Sequence, residues 1–292
     1  MKKTHEMIDE DLKQYEVILL SGCACIGASH LGFLLALQNA KKLRFLRILC
    51  GTSIGSIIGL LFLLKLDIKQ IFDSFAHHRM IDLLNLQSAD IAKRDVGLAN
   101  TDFVIAHMID VLLGFGKNPD ITFEQLYDSN PITFVVTASK RHSQSYVGEY
   151  FSRDTNPQMK VLDAINASIC IPLLFKSVQF EGADYIDGAL VDNLPFRYVY
   201  ERYKIPFELM LGHSPVGVDR KVEKNAKTTN THNWLDILFS LFKFTRTELE
   251  KYKSMPDRTI FTLIEGASLN METDEQMSLY YFSFSHFLRF PF

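Results

Sequence analysis

Apolar residues in this chain gather into short unbroken runs, and between the runs they recur every three or four positions. Tyr15–Leu20 and Phe45–Cys50 are of the first kind. They are too short for buried helices and suit parallel strands covered on both faces. Between them, Leu31, Leu34, Leu35 and Leu37 return at helical spacing within Ala28–Ala40. Ser56–Leu64 is almost wholly apolar and reads as a helix enclosed by the rest of the domain. The order β-α-β-α predicts a right-handed parallel crossover. Asp67–Ala76 and Thr101–Leu113 read as further helices. Ile132–Ala138 is a strand by its β-branched residues, and Gln144–Ser152 is its expected partner across Arg141-His142-Ser143. Val161–Ile171 reads as a helix stopped by Pro172, and Pro206–Leu211 as the last strand of the main sheet. The expected fold class is α/β: a three-layer sandwich, its mainly parallel sheet flanked by helices.

The polar segments divide the chain. Residues 1–14 form a charged N-terminal extension, 15–220 the main domain, 221–233 a polar linker, and 234–292 a helical and aromatic C-terminal segment expected to pack on the domain. The aromatic stretch Tyr280–Phe292 is also a candidate for contact with a membrane or partner. The N-terminus lacks the apolar core of a secretory signal, so a cytoplasmic protein is expected, with peripheral membrane contact as an option. The apolar stretch Ile54–Leu64 falls short of the ~20 residues needed to cross a bilayer.

Composition narrows the function classes. An apolar share of 47 % and a charged share of 22 % over 292 residues are those of a globular domain. A net charge of −3 gives no electrostatic footprint for nucleic acid. Cys23, Cys25, Cys50 and Cys170 have neither zinc-ligand nor C-x-x-C spacing, so buried free thiols in a reducing compartment are expected.

Candidate chemistry centres on Gly51-Thr52-Ser53-Ile54-Gly55, a G-x-S-x-G between a strand and a helix. That context is the nucleophile elbow, whose glycines let the chain turn sharply and hold the serine hydroxyl over the sheet. A serine hydroxyl needs a base. Among the nine histidines, His213 is best placed, just past a strand end, where active sites of open α/β sheets gather. His30, His77, His78, His107 and His142 lie in helices, a charged segment or a turn. Asp187 in Tyr185-Ile186-Asp187-Gly188-Ala189 competes with His213, since it ends a strand before small residues that permit close approach. As a weak base it would need a desolvated site and a tight hydrogen bond to Ser53.

Four blocks in order resemble the patatin-like phospholipase family. They are Leu20-Ser21-Gly22 through Gly27-Ala28-x-His30-x-Gly32, the elbow itself, Ala167-Ser168-x-x-x-Pro172-x-x-Phe175, and Tyr185-Ile186-Asp187-Gly188-Ala189 with Asn193-x-Pro195. The resemblance spans about residues 15–200. It implies a phospholipase A-type lipid acyl hydrolase with a Ser53–Asp187 dyad, an acyl-enzyme, no metal or other cofactor, and a phospholipid or other acyl-ester substrate. It also implies that backbone N–H groups of Gly22, Cys23 and Ala24 form the oxyanion hole, supported by Gly27, Gly51, Gly55 and Gly188. His30 becomes structural, and Thr52, Ile54 and Leu34 are expected near the acyl chain. One departure stands out: where the family reads G-G-G-x-[RK]-G, this chain reads Gly22-Cys23-Ala24-Cys25-Ile26-Gly27. A residue bearing Cβ is disfavoured by roughly 1–2 kcal/mol wherever that loop needs φ > 0. The alternative reading is therefore a catalytically impaired relative that binds lipid or membrane.

Overall fold

The computed structural model describes residues 14–76, 99–172, 174–218 and 259–265. The N-terminal extension to residue 13, His77, His78, the linker at 221–233 and most of 234–292 lie outside the described residues.

Strand β1 (Val17–Leu20), helix α1 (Ala28–Asn39), strand β2 (Ile48–Thr52) and helix α2 (Ile54–Leu63) form the expected opening crossover. Helix α3 (Ile68–Ala76), helix α4 (Asp102–Gly114) and helix α5 (Phe123–Ser129) precede the hairpin of strand β3 (Thr133–His142) and strand β4 (Ser145–Ser152). Helix α6 (Val161–Ser168), strands β5 (Val178–Phe180) and β6 (Ala183–Asp187), helix α7 (Phe196–Tyr203), strand β7 (Met210–Val218) and strand β8 (Thr259–Glu265) follow.

The sheet runs β5-β6-β3-β2-β1-β7-β8, with β4 paired to β3. Its β3-β2-β1-β7-β8 part is parallel, and β4, β5 and β6 are joined antiparallel. The sheet is thus mixed, with the parallel half carrying the elbow. Two faces are covered, because successive strand residues point to opposite sides. Ile18, Leu20, Leu49, Phe134 and Val136 face the larger core under α1 to α6, while Val17, Leu19, Ile48, Cys50 and Val135 face the smaller one with Phe196 and Val199 of α7.

Two expectations about the end of the sheet are corrected. Pro206–Leu211 is not a strand throughout: Phe207–Leu209 form a short 3₁₀ turn, and β7 begins only at Met210. Nor is β7 the last strand, since β8 pairs with it in parallel from Thr259 onward. β1 accompanies β7 only to His213, so Pro215, which has no N–H to donate, falls where β8 alone is the neighbour.

Candidate active site

The elbow is built as its sequence requires. Ser53 joins β2 to α2 with φ 52° and ψ −126°, a strained conformation for a residue with a side chain. The glycines on either side are needed for contact. A Cβ on Gly51 would lie 2.5 Å from Ser56 Cα, and one on Gly55 would lie 2.4 Å from the Leu20 carbonyl oxygen. The strained backbone is tied at both its polar groups. Ser53 N–H donates to Ser168 Oγ at 2.8 Å, and the Ser53 carbonyl accepts from Ser56 N–H at 2.8 Å and from Ser56 Oγ at 2.6 Å. Ser168 Oγ in turn donates to the Thr137 carbonyl at 2.7 Å.

Strand β3 decides what stands opposite the serine. Its first half pairs with parallel β2, which ends with Thr52 opposite Thr137. Its second half pairs with antiparallel β6, which ends with Asp187 opposite Ala138. The two strands therefore run toward each other and terminate at adjacent positions of one neighbour. Asp187 is fixed by its own backbone: its N–H donates to the Cys170 carbonyl at 2.9 Å and its carbonyl accepts from Ser139 Oγ at 2.9 Å. Carboxylate Oδ1 accepts the Ala189 N–H at 2.8 Å. Gly188 makes the turn possible, because a Cβ there would sit 2.2 Å from the Thr137 carbonyl oxygen and 3.1 Å from Thr52 Cγ2. Ser53 is 6 % exposed and Asp187 1 %, so both side chains are largely withdrawn from solvent.

Gly22 is the point where the pieces converge. A Cβ placed on it would lie 3.0 Å from Ser53 Cβ, 3.2 Å from Ala189 Cβ and 3.2 Å from Asn193 Oδ1. Its N–H donates to Asn193 Oδ1 at 2.6 Å, which ties the loop after β1 to the loop after Asp187. Beyond Gly22 the chain enters a 3₁₀ turn, Ala24–Ile26, with Cys23 at φ −150° and Ala24 at φ 49°. The substituted glycine that meets a left-handed backbone is thus Ala24, and Cys23 avoids it. Gly27 then opens α1 against α2, where a Cβ would lie 2.6 Å from Ile54 Cγ1. Ile54 is half-buried, while Thr52 and Leu34 are buried.

Histidines take other positions. His213 is wholly buried, its Nδ1 2.8 Å from His30 Nδ1, and its ring stacks on Phe33 at 4.5 Å between centroids. His107 Nε2 lies 3.2 Å from the Ser74 carbonyl, and His142 is exposed at the end of β3. Burial governs the thiols near the site. Cys170, which donates to the Asn166 carbonyl, is pushed up to about 12, first by desolvation and then by the charge of Asp187. Cys50 is raised further by burial, with Asp192 adding to it. Tyr150 donates to Asp192 Oδ2 at 2.7 Å, and its phenol is also raised, chiefly by burial.

Two participants escape a reading of the sequence. Ser168 lies inside a recognisable block, but nothing local says that its hydroxyl reaches the backbone of residue 53. Asn193 is likewise bonded to a glycine 171 positions away. Among the described residues no group of His, Cys, Asp and Glu is arranged to hold a metal ion, and no helix is long and apolar enough to cross a membrane.

Comparison with known proteins bears on the same region. The profile of the patatin-like phospholipase family matches residues 18–200. The chain is 27 % identical over 187 residues to the "Probable lipid hydrolase 463L" of Invertebrate iridescent virus 6, a stretch covering 63 % of this chain and 62 % of the viral protein. In three dimensions it is similar to VipD from Legionella pneumophila (TM-score 0.57, 15 % identity, 94 % of this chain and 66 % of that one). It is also similar to the type III effector ExoU of Pseudomonas aeruginosa (TM-score 0.50, 15 % identity, 94 % and 52 %). The match spans less than two thirds of the length of each of these relatives.

Proposed function

The chain belongs to the patatin-like phospholipase family, and from that premise we propose that it is a lipid acyl hydrolase of phospholipase A type working through Ser53 and Asp187. The observation that supports this reading is that β2, which leads into strained Ser53, and β6, which ends at buried Asp187, stop at the adjacent positions Thr137 and Ala138 of β3.

Ser53 Oγ attacks the ester carbonyl carbon while Asp187 takes its proton. The negative charge on the former carbonyl oxygen is held by backbone N–H groups of Cys23 and Ala24, with Gly22 N–H bound to Asn193 and holding the loop against the Asp187 turn. Such donors act because they are aimed in advance at the developing charge. Collapse breaks the ester C–O bond, and the alkoxide leaves with the proton from Asp187. An acyl-Ser53 ester remains. Asp187 then takes a proton from water, whose oxygen attacks the acyl carbon. Fatty acid departs and Ser53 regains its proton. Exposed Phe103, Leu113 and Phe115 on and just after α4 support peripheral contact with the lipid surface.

The test is fatty-acid release from mixed phospholipid vesicles by wild type, Ser53→Ala and Asp187→Asn. Activity confined to wild type is expected. A folded Ser53→Ala protein with wild-type turnover would overturn the reading. One observation favours the second reading, a lipid-binding relative with little turnover: Ala24 holds a left-handed backbone within the oxyanion loop. Vesicle co-sedimentation without fatty-acid release from any variant would identify that case.

A further inference from the structure

His213 and His30 form a wholly buried couple directly behind the loop that follows β1. His213 stands opposite Leu20 in the β1–β7 ladder, on the face covered by α1. Its ring is sandwiched against Phe33 and meets His30 edge-on, with centroids 4.8 Å apart and planes at 81°. The rings are joined Nδ1 to Nδ1 at 2.8 Å. At its other nitrogen, His30 Nε2 lies 2.9 Å from the Ser21 carbonyl oxygen and 3.4 Å from Cys23 Sγ. These are the two residues on either side of Gly22.

The chemistry of these contacts assigns the protons. A carbonyl oxygen only accepts, so His30 Nε2 must carry hydrogen. A neutral imidazole has one N–H, which leaves His30 Nδ1 bare and able only to accept. The short Nδ1–Nδ1 contact then requires hydrogen on His213 Nδ1. A cationic His30 would reverse the direction, but it would place an extra charge in a site where both side chains are fully buried.

We infer that His213 is a positioning residue: its Nδ1–H fixes the tautomer of His30, and His30 Nε2–H thereby pins Ser21 and Cys23, holding the proposed oxyanion loop in register with Ser53. The inference rests on the hydrolase reading for its catalytic consequence, but not for the hydrogen-bond chain itself. It explains why the histidine that the sequence offers as a triad base sits inside β7 and turns to a second histidine. It also places a residue beyond the family match at 18–200 in support of the site.

The experiment has three arms on the full chain. Imidazole ¹⁵N spectra of wild type, assigned with His30→Gln and His213→Asn, should show hydrogen on Nε2 of His30 and Nδ1 of His213. The opposite tautomers, or a cationic His30 at pH 7, would overturn the inference. In kinetics, His213→Leu should lower kcat roughly 10- to 100-fold with KM within about twofold, the scale of a misplaced catalytic group. His213→Asn keeps an N–H near the Nδ1 position and should recover to within about threefold of wild type. Equal loss in both folded variants, or none in the leucine variant, would overturn it. The third arm is alkylation of Cys23, read by peptide mass spectrometry, which should be faster in His213→Leu than in His213→Asn; equal rates would overturn the inference. If wild type hydrolyses no ester, the hydrolase reading falls, and the spectra and alkylation rates still decide the couple.

Discussion

Thr52 and Asp187 occupy consecutive positions along the same edge of β3, Thr52 opposite Thr137 and Asp187 opposite Ala138, although they arrive on strands of opposite direction. Whatever follows Thr52 must therefore come up against whatever follows Asp187. A fluorophosphonate should label Ser53 in wild type, and Asp187→Asn should slow labelling by at least about a thousandfold, as removal of one member of a catalytic unit does. Labelling undiminished in folded Asp187→Asn would mean that another group activates the serine.

Ala24 carries the only substituted glycine shown to adopt a left-handed backbone in this loop, at φ 49°. Ala24→Gly should raise stability by about 1 kcal/mol through release of that strain, partly offset by added freedom of the unfolded chain. Turnover should hold or increase. The urea midpoint is the readout, and a midpoint below wild type would show that the turn is not strained by its Cβ.

Glycines in and around the site should separate by what they touch. Gly55→Ala and Gly188→Ala press a methyl group against backbone carbonyls of Leu20 and Thr137, which move only with the sheet. Each should cost about 3 kcal/mol or more, at the upper end for overpacking. Gly59→Ala meets the Phe134 ring at 2.8 Å, a side chain that can shift, and should cost less. Equal midpoints for all three would contradict the contacts.

Ser168→Ala removes the acceptor of Ser53 N–H and the donor to the Thr137 carbonyl together. A stability loss of about 1–3 kcal/mol is expected for buried groups left without partners. The strained serine would also lose its anchor, so kcat should fall by about tenfold or more at little change in KM. An unaltered kcat with lowered stability would make Ser168 a packing residue alone.

Alkali should weaken the fold in a defined window. Cys170 is pushed up to about 12 and Cys50 is raised by burial, while a thiol in the unfolded chain ionises near about 8.5. The native state keeps protons that the unfolded chain gives up. The contribution is thus complete below about pH 8.5 and shrinks as pH rises toward 12. Each thiol adds up to about 1.4 kcal/mol per pH unit to that slope. Urea midpoints followed from about pH 7 to pH 10.5 should fall less steeply in Cys50→Ala/Cys170→Ala than in wild type. Parallel curves would remove the thiols as the cause.

Local pattern carried much of the fold. β1, β2 and α2 were legible because unbroken apolar runs and the Gly-x-Ser-x-Gly turn are written within a few residues. Helix α5 had a signal that periodicity missed: Thr122 and Gln125 cap its first turn reciprocally. β7 was misplaced for a physical reason. Its middle, His213-Ser214-Pro215, is polar and proline-bearing yet buried, because β1, β8 and α1 enclose it. Strand β8 lay in a stretch read as helical, since seven residues with an edge partner leave a weak pattern. At the site, motif residues were readable, whereas the bonds from Ser168, Asn193 and His213 bridge 115, 171 and 183 positions. No window along the chain encodes such distances.

The long strand β3 has one more consequence. Side-chain direction alternates at every residue, so sliding β6 by a single step along β3 would turn Asp187 to the opposite surface of the sheet and put Ile186 or Gly188 opposite Ala138 instead. On the proposed dyad, turnover would gauge strand alignment to within one residue. A misfolded form could retain every helix and most of its buried area and still report itself by silence.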